Sequence, residues 1–407
     1  MKKSFLVSAF VILLVLFIMS AGTYAFLRIR AADNTEAAAV SPTITPEAQT
    51  STPEVPPPTE EPVQENTPEP VATEPQPDYS QRAQEILDEL TLEEKVAQMM
   101  IVYPSDWQSE WTVGGLVYSE SDIPSREAVI ESINDYQSKA SIPLFICADE
   151  EGGAVRRTRN ISDIPQIESM LSYKDDGVQK AHDNAFTIAS YMKELGFNLD
   201  LAPVADVHTN PNDTVINTRA YSDDFSQAAE LIPYAVKGFH DGGIACCLKH
   251  FPGHGSAGAD THYGPADVSK TKEELMSEDL LPFISGIEAG ADMVMVAHLT
   301  MTEIDKDRAA SLSANVITGL LRKDLGYDGV VITDGLGMVA VSGNYSADEI
   351  AVMAVQAGND ILLGPENVSA AITAISNAVR DGTIEGSRID ESVLRILELK
   401  LEREIIK

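Results

Sequence analysis

Short apolar runs recur along most of this chain, and stretches with helical periodicity separate them. Eight such runs cover 98–102, 115–118, 144–148, 198–202, 245–249, 293–297, 330–333 and 360–363. Most are rich in Val, Ile, Leu, Met and Ala and lack alternation with polar residues, the pattern of strands buried on both faces of a parallel sheet. Between them the spacing predicts helices over 125–138, 179–195, 226–241, 272–289, 314–325 and 347–357. Thr91-Leu92-Glu93-Glu94 carries a capping-box signature at the start of a further helix. Repeated strand–helix alternation places the chain in the α/β class, and eight units predict a (β/α)8 barrel of the TIM type. An open doubly wound sheet is the alternative topology.

The ends of the predicted strands are polar. Asp149-Glu150-Glu151 follows the third run, Asp206 and His208 follow the fourth, Lys249 and His250 end the fifth, His298 ends the sixth and Asp334 ends the seventh. In a barrel these ends converge on one face, where catalytic groups sit.

The pattern is absent from the first 78 residues. Lys2 and Lys3 precede an uncharged apolar run over 5–27, long enough to span a bilayer at about 20 residues per span. We read 1–30 as an uncleaved transmembrane signal anchor, with cleavage after a signal peptide as the alternative. Residues 31–78 are dominated by Pro, Thr, Glu, Val and Ala, and 33–78 lacks Lys and Arg. Such a segment buries too little apolar surface to fold, and its prolines favour an extended stalk. Residues 79–407 form the catalytic domain in this reading. The expected address is extracytoplasmic and membrane-tethered, or secreted if the first segment is removed.

Charge narrows the choice of partner. Asp and Glu number 63 against 29 Lys and Arg, a net charge of −34. That excess argues against nucleic acid and against an anionic membrane surface as partner. Cys147, Cys246 and Cys247 all lie in apolar runs and read as small core residues, not as a disulfide framework.

The chemistry concentrates after the fifth run, in Lys249-His250-Phe251-Pro252-Gly253-His254-Gly255 and the nearby Asp260-Thr261-His262. Asp260 stands two residues before His262, and a carboxylate bonded to a His fixes its tautomer and raises its basicity. The pair suits proton transfer near neutral pH. A metal site built from His250, His254, Asp260 and His262 is the competing reading. Lys249 beside His250 disfavours it, and Gly253, Gly255 and Gly258 suggest a moving loop. Asp334, taken alone, reads either as a nucleophile or as a helix N-cap.

Six stretches in order resemble glycoside hydrolase family 3, specifically its single-domain β-N-acetylglucosaminidases. They are Asp149 to Arg157, Leu195 to Val207, Asn217-Thr218-Arg219-Ala220-Tyr221, the Lys249 motif with Asp260 and His262, Ala310-Ser311-Leu312-Ser313, and Thr333-Asp334-Gly335-Leu336-Gly337-Met338. The resemblance implies that Asp334 is the nucleophile of a retaining glycosidase and that His262, oriented by Asp260, is the general acid/base. It implies that Asp149, Arg157, Arg219, Lys249 and His250 bind the sugar. Family 3 β-glucosidases generally take their acid/base from a second domain, so Asp260 and His262 within this one favour the N-acetylglucosaminidase branch.

The chain departs from the family pattern at Gly335, Ser256, Ala257 and Thr261. The expected substrate is a carbohydrate carrying terminal β-linked N-acetylglucosamine, from peptidoglycan fragments or chitin-type oligosaccharides. No metal or other cofactor is expected, and the chain is expected to act as a monomer. A β-glucosidase, a phosphorylase of the same family and a non-catalytic sugar-binding domain remain as alternatives.

Overall fold

The computed structural model describes residues 79–407 apart from 109–110, 212, 258–260, 262–263 and 265. The anchor and stalk of the sequence reading, and Asp260 and His262, lie outside the described residues. Among the described residues no helix is long and apolar enough to cross a membrane.

Ten strands follow in chain order: β1 (Met100–Val102), β2 (Gly115–Val117), β3 (Phe145–Ala148), β4 (Leu199–Asp200), β5 (Ala245–Phe251), β6 (Ala266–Val268), β7 (Met293–Val296), β8 (Leu299–Met301), β9 (Val330–Thr333) and β10 (Leu362–Leu363). Eight of them pair in the order β10-β1-β2-β3-β4-β5-β7-β9, every pairing parallel. An isolated parallel bridge, Ile332 to Ile361, joins the two ends of this sheet. Backbone bonds from Thr333 N to Ile361 O (3.0 Å) and from Ile361 N to Val331 O (3.0 Å) reinforce the join. The eight strands therefore form a nearly closed ring, not an open sheet, and each coincides with one of the eight apolar runs. Their residues are buried throughout, which is why the runs do not alternate. Cys147, Cys246 and Cys247 are free and buried in this core.

Capping side chains start many of the surrounding helices. Ser125 accepts from Ala128 N, Asp224 from Gln227 N and Asn367 from Ala370 N. Thr91 with Glu94, Thr271 with Glu274 and Ser346 with Glu349 form capping boxes. Each such cap contributes roughly 1 kcal/mol by satisfying amide groups the helix leaves bare.

Three features differ from the sequence expectation. The helix expected over 272–289 is two, Lys272–Ser277 and Leu281–Glu288. Pro282 has no N–H to continue the first and sits in the opening turn of the second, where none is needed. The segment Asn315–Asp324 is a π-helix, with Gly319 N bonded to Ala314 O at 2.9 Å. The helices Ser80–Asp88, Val368–Arg380 and Gly386–Glu402, and the small parallel pair β6–β8, were not anticipated.

The last helix closes the floor of the barrel, at the N-terminal ends of the strands. Lys400 is fully buried there. Its Nζ donates to Gln98 Oε1 at 3.0 Å and lies 5.1 Å from the centre of the Phe145 ring. Burial pushes this ammonium down to about 7.

Candidate active site

Three consecutive acids at the end of β3 have different fates. Glu150 points into the core and is fully buried. It accepts from Thr158 N (3.0 Å), Thr158 Oγ1 (2.7 Å), Arg157 N (2.7 Å) and Tyr191 Oη (2.8 Å). Its role is to hold the loop over 150–158, which carries Arg157. Asp149 and Glu151 point the other way, and both reach Lys249 Nζ at 2.7 Å.

Lys249 arrives from β5, which runs beyond its predicted end to Phe251. Its side chain is 1 % exposed, so the charge needs partners, and the two carboxylates supply them. Burial alone would lower the Lys249 ammonium, but Asp149 and Glu151 outweigh that and hold it above the usual lysine range. Burial would likewise raise Asp149; Lys249 and Arg157, the latter 3.0 Å away, drive it far below the usual carboxylate range instead. Glu151 also grips Arg219 in a two-pronged pair, at 2.7 Å to Nε and 2.8 Å to Nη2. Against the effect of burial, Arg219 and Lys249 bring the Glu151 carboxyl down to about 2.

Arg219 stands on a short turn, Asn217–Arg219. The buried Asp213 carboxylate builds this turn by accepting from Val215 N (2.8 Å) and Ile216 N (3.1 Å). Arg219 Nη2 lies 3.4 Å from His250 Nε2. The opposite nitrogen of His250, Nδ1, meets Asp206 Oδ2 at 2.6 Å. Because a carboxylate only accepts, Nδ1 carries the proton and Nε2 presents its lone pair when the ring is neutral. The Lys249–His250 peptide bond is cis, as are Ala202–Pro203 and Phe251–Pro252.

Asp334 follows β9. Its backbone N donates to Val296 O at 3.0 Å and its Oδ1 accepts from Gly335 N at 2.7 Å. It caps no helix, since Met338 occupies the N-cap position of the next one, Val339–Ser342. Burial would raise its carboxyl, but His250, His298 and the Gly335 N–H hold it below the ordinary range, so it is ionised at neutral pH. His298 Nε2 donates to Gly335 O at 2.9 Å and its Nδ1 lies 2.6 Å from Ser311 Oγ, pinning the peptide beside the nucleophile candidate.

These groups share one cavity of about 180 Å³, in which Asp149, Glu151, Arg157, Arg219, His250 and Asp334 face one another. Val155, Val215, His254 and Thr261 complete its wall. Lys249 is bonded to two of the acids that line it, Asp149 and Glu151. The structure thus brings together Asp334 and the sugar-binding candidates Asp149, Arg157, Arg219, Lys249 and His250. Asp260 and His262 are outside the described residues. Sequence reasoning passed over Glu151, although it noted the acidic triplet, and passed over Asp206 as the partner of His250, although it noted that residue at a strand end.

Two glycines of the Lys249 loop sit tightly against neighbouring elements. Gly253 has φ +122°, and a Cβ there would lie 2.7 Å from Asp279 Cβ. A Cβ on Gly255 would lie 2.0 Å from Val207 O. Both glycines therefore permit a close approach at these two positions. Among the described residues, His, Cys, Asp and Glu atoms gather at metal-ligand spacing at His240, Cys246 and Asp292. That group is at the barrel floor, where Arg403 already donates to Asp292 Oδ1 at 2.6 Å and lies 3.0 Å from His240 Nε2.

Residues 91–399 match the family model described as the glycosyl hydrolase family 3 N terminal domain. A beta-hexosaminidase of Stenotrophomonas maltophilia is 36% identical over 280 residues, covering 66% of this chain and 82% of that protein. Beta-hexosaminidase A of Pseudoalteromonas piscicida is 30% identical over 325 residues, covering 73% of this chain. This chain spans only 54% of that protein's length. Among solved structures, a family 3 beta-N-acetylglucosaminidase from Paenibacillus superposes with a TM-score of 0.74 at 37% identity, over 78% of this chain and 63% of that one.

Proposed function

From the membership of this chain in glycoside hydrolase family 3, we propose that it is a retaining exo-β-N-acetylglucosaminidase. The reading is carried by one observation: an ionised carboxylate, Asp334, faces a cradle of Asp149, Arg157, Arg219 and His250 in a cavity of monosaccharide scale. The hexosaminidase names of its relatives support the choice of sugar.

In the first step Asp334 attacks the anomeric carbon while the bond to the leaving oxygen breaks and His262 gives that oxygen a proton. In the second step His262 takes a proton from water, the water oxygen attacks the anomeric carbon, and Asp334 is released. Asp260 orients His262. The sugar hydroxyls meet Asp149, Arg157 and Arg219, while Lys249 holds Asp149 and Glu151 in place. Each charged hydrogen bond to a hydroxyl is worth about 1.5–3 kcal/mol. The apolar run over 5–27 tethers the domain outside the cytoplasm, where cell-wall fragments are the substrate and the chain acts as a monomer.

The test is release of the aryl group from β-N-acetylglucosaminide and β-glucoside substrates, with and without phosphate. Preference for the acetamido sugar without phosphate dependence supports the proposal. Turnover of the glucoside alone, or dependence on phosphate, contradicts it; no turnover of either favours a binding domain.

A further inference from the structure

The described lining of the sugar cavity is polar or charged except for Val155 and Val215. A pyranose is not polar all round: its hydroxyls project from the edge, and C–H bonds cover its faces. Sites for such ligands combine oriented polar groups with an apolar or aromatic wall. Four large apolar side chains are exposed among the described residues: Tyr103, Phe186, Tyr234 and Val339. The last three lie in helices. Tyr103, 41 % exposed, follows β1 directly.

Strand register gives the direction of Tyr103. Ile101 of β1 pairs with Leu363 of β10 on one side and with Gly115 of β2 on the other. Gly115 pairs in turn with Phe145 of β3, and Ile361 bridges to Ile332 of β9. Paired residues share a face of the sheet, and side chains alternate along each strand. Tyr103 lies two positions beyond Ile101, Asp149 four beyond Phe145 and Asp334 two beyond Ile332. All three therefore project from one face, at the same end of the strands. Asp149 and Asp334 meet in the sugar cavity, so that face is the inner one. The cavity's charges act on the ring: burial raises the Tyr103 hydroxyl, Asp149 and Asp334 raise it further, and Arg157 opposes them.

The ring is also held in place. A Cβ on Gly364, at the end of β10, would lie 3.3 Å from Tyr103 Cε2. Gly364 N donates to Ile101 O at 2.8 Å, which keeps that glycine beside β1. Pro104 confines the backbone of Tyr103 to extended geometry, and Tyr103 O accepts from Asp106 N at 2.9 Å. An aromatic side chain fixed in this way loses little freedom when a ligand packs on it.

We propose that Tyr103 is a substrate-binding residue whose ring packs against the apolar C–H face of the sugar seated between Asp149 and Asp334. The inference rests on the reading of this cavity as a monosaccharide site, and it adds an aromatic wall to the charged contacts there.

The test uses the full chain, N-acetylglucosamine as a competitive inhibitor and an aryl β-N-acetylglucosaminide as substrate. Tyr103→Phe keeps the ring and is expected to match the parent within about twofold. Tyr103→Ala is expected to raise both the inhibition constant of the monosaccharide and KM by about 10-fold, with kcat changed far less, because the contact is made alike in ground and transition states. Tyr103→Leu, which keeps bulk against Gly364 without a flat face, is expected to fall between the two and carries the comparison if Tyr103→Ala does not fold. An unchanged inhibition constant in the Ala and Leu variants overturns the assignment. So does a Tyr103→Phe variant as weak as Tyr103→Ala, which would put the effect on the hydroxyl. Weaker turnover of oligosaccharides with unchanged binding of the monosaccharide would set the ring against the leaving group and contradict the proposal. If the parent chain neither binds N-acetylglucosamine nor turns over the glycoside, the sugar reading itself falls, and this inference falls with it.

Discussion

The Asp206 carboxylate takes both the backbone N–H and the ring Nδ1 of His250, at 3.0 and 2.6 Å. That double contact fixes the tautomer and the plane of an imidazole that lines the sugar cavity. Burial would raise the Asp206 carboxyl, but His250 and His254 hold it below the ordinary range, so the bond stays charge-assisted across neutral pH. Asp206→Asn weakens this orientation and is expected to lower kcat/KM on an aryl N-acetylglucosaminide by about 10–100-fold, as loss of an orienting partner does at other sites. A change smaller than threefold would show that His250 is held by other means.

Glu151 couples the site to acid stability. Its folded-state carboxyl sits at about 2 against an ordinary 4.5. A depressed carboxyl contributes stability that is present above the unfolded value and is lost as pH falls through the folded one. The contribution is on the order of 3 kcal/mol at neutral pH and disappears between about pH 4.5 and 2. Glu151→Gln leaves Lys249 and Arg219 short of a counter-charge. It is expected to lower unfolding free energy in urea at pH 7 and to differ much less from the parent near pH 3. An equal difference at both pH values contradicts the assignment.

Lys400 gives the opposite kind of pH dependence. Its folded-state ammonium lies at about 7, below the ordinary 10.5. Below pH 7 the lysine is charged in both states and the full cost of burial applies. Between pH 7 and 10.5 the native lysine is neutral while the unfolded one is charged, so that cost shrinks as pH rises. Lys400→Met is therefore expected to stabilise the fold by about 2 kcal/mol at pH 6, after the loss of the Gln98 hydrogen bond. The gain is expected to diminish toward pH 10. Thermal unfolding at the two pH values checks the sign.

Most of the barrel was legible because its strands are buried on both faces. Runs such as 330–332 and 245–248 carry no polar alternation, and polar residues gather toward the C-terminal ends of the strands. The strand ends thus announced Asp149, Lys249, His250 and Asp334 before their geometry was known. What periodicity does not encode is which carboxylate meets which cation. Asp149, Glu150 and Glu151 are adjacent acids, and only the turn back through Arg157 and Thr158 decides that Glu150 serves the loop while its neighbours serve Lys249. The close packing at Gly253 and Gly255 is hidden for the same reason, because their neighbours, Asp279 and Val207, are remote in sequence. The π-helix at Asn315–Asp324 keeps an amphipathic face that resembles an ordinary helix in sequence.

Covalent trapping tests the central claim most directly. The full chain is incubated with a fluorinated N-acetylglucosamine-type donor that slows release of the intermediate, then digested and sequenced by mass spectrometry. The account predicts one added sugar on the peptide carrying Asp334, and no adduct in Asp334→Asn. A sugar attached to any other residue, or an adduct that persists in Asp334→Asn, would contradict it.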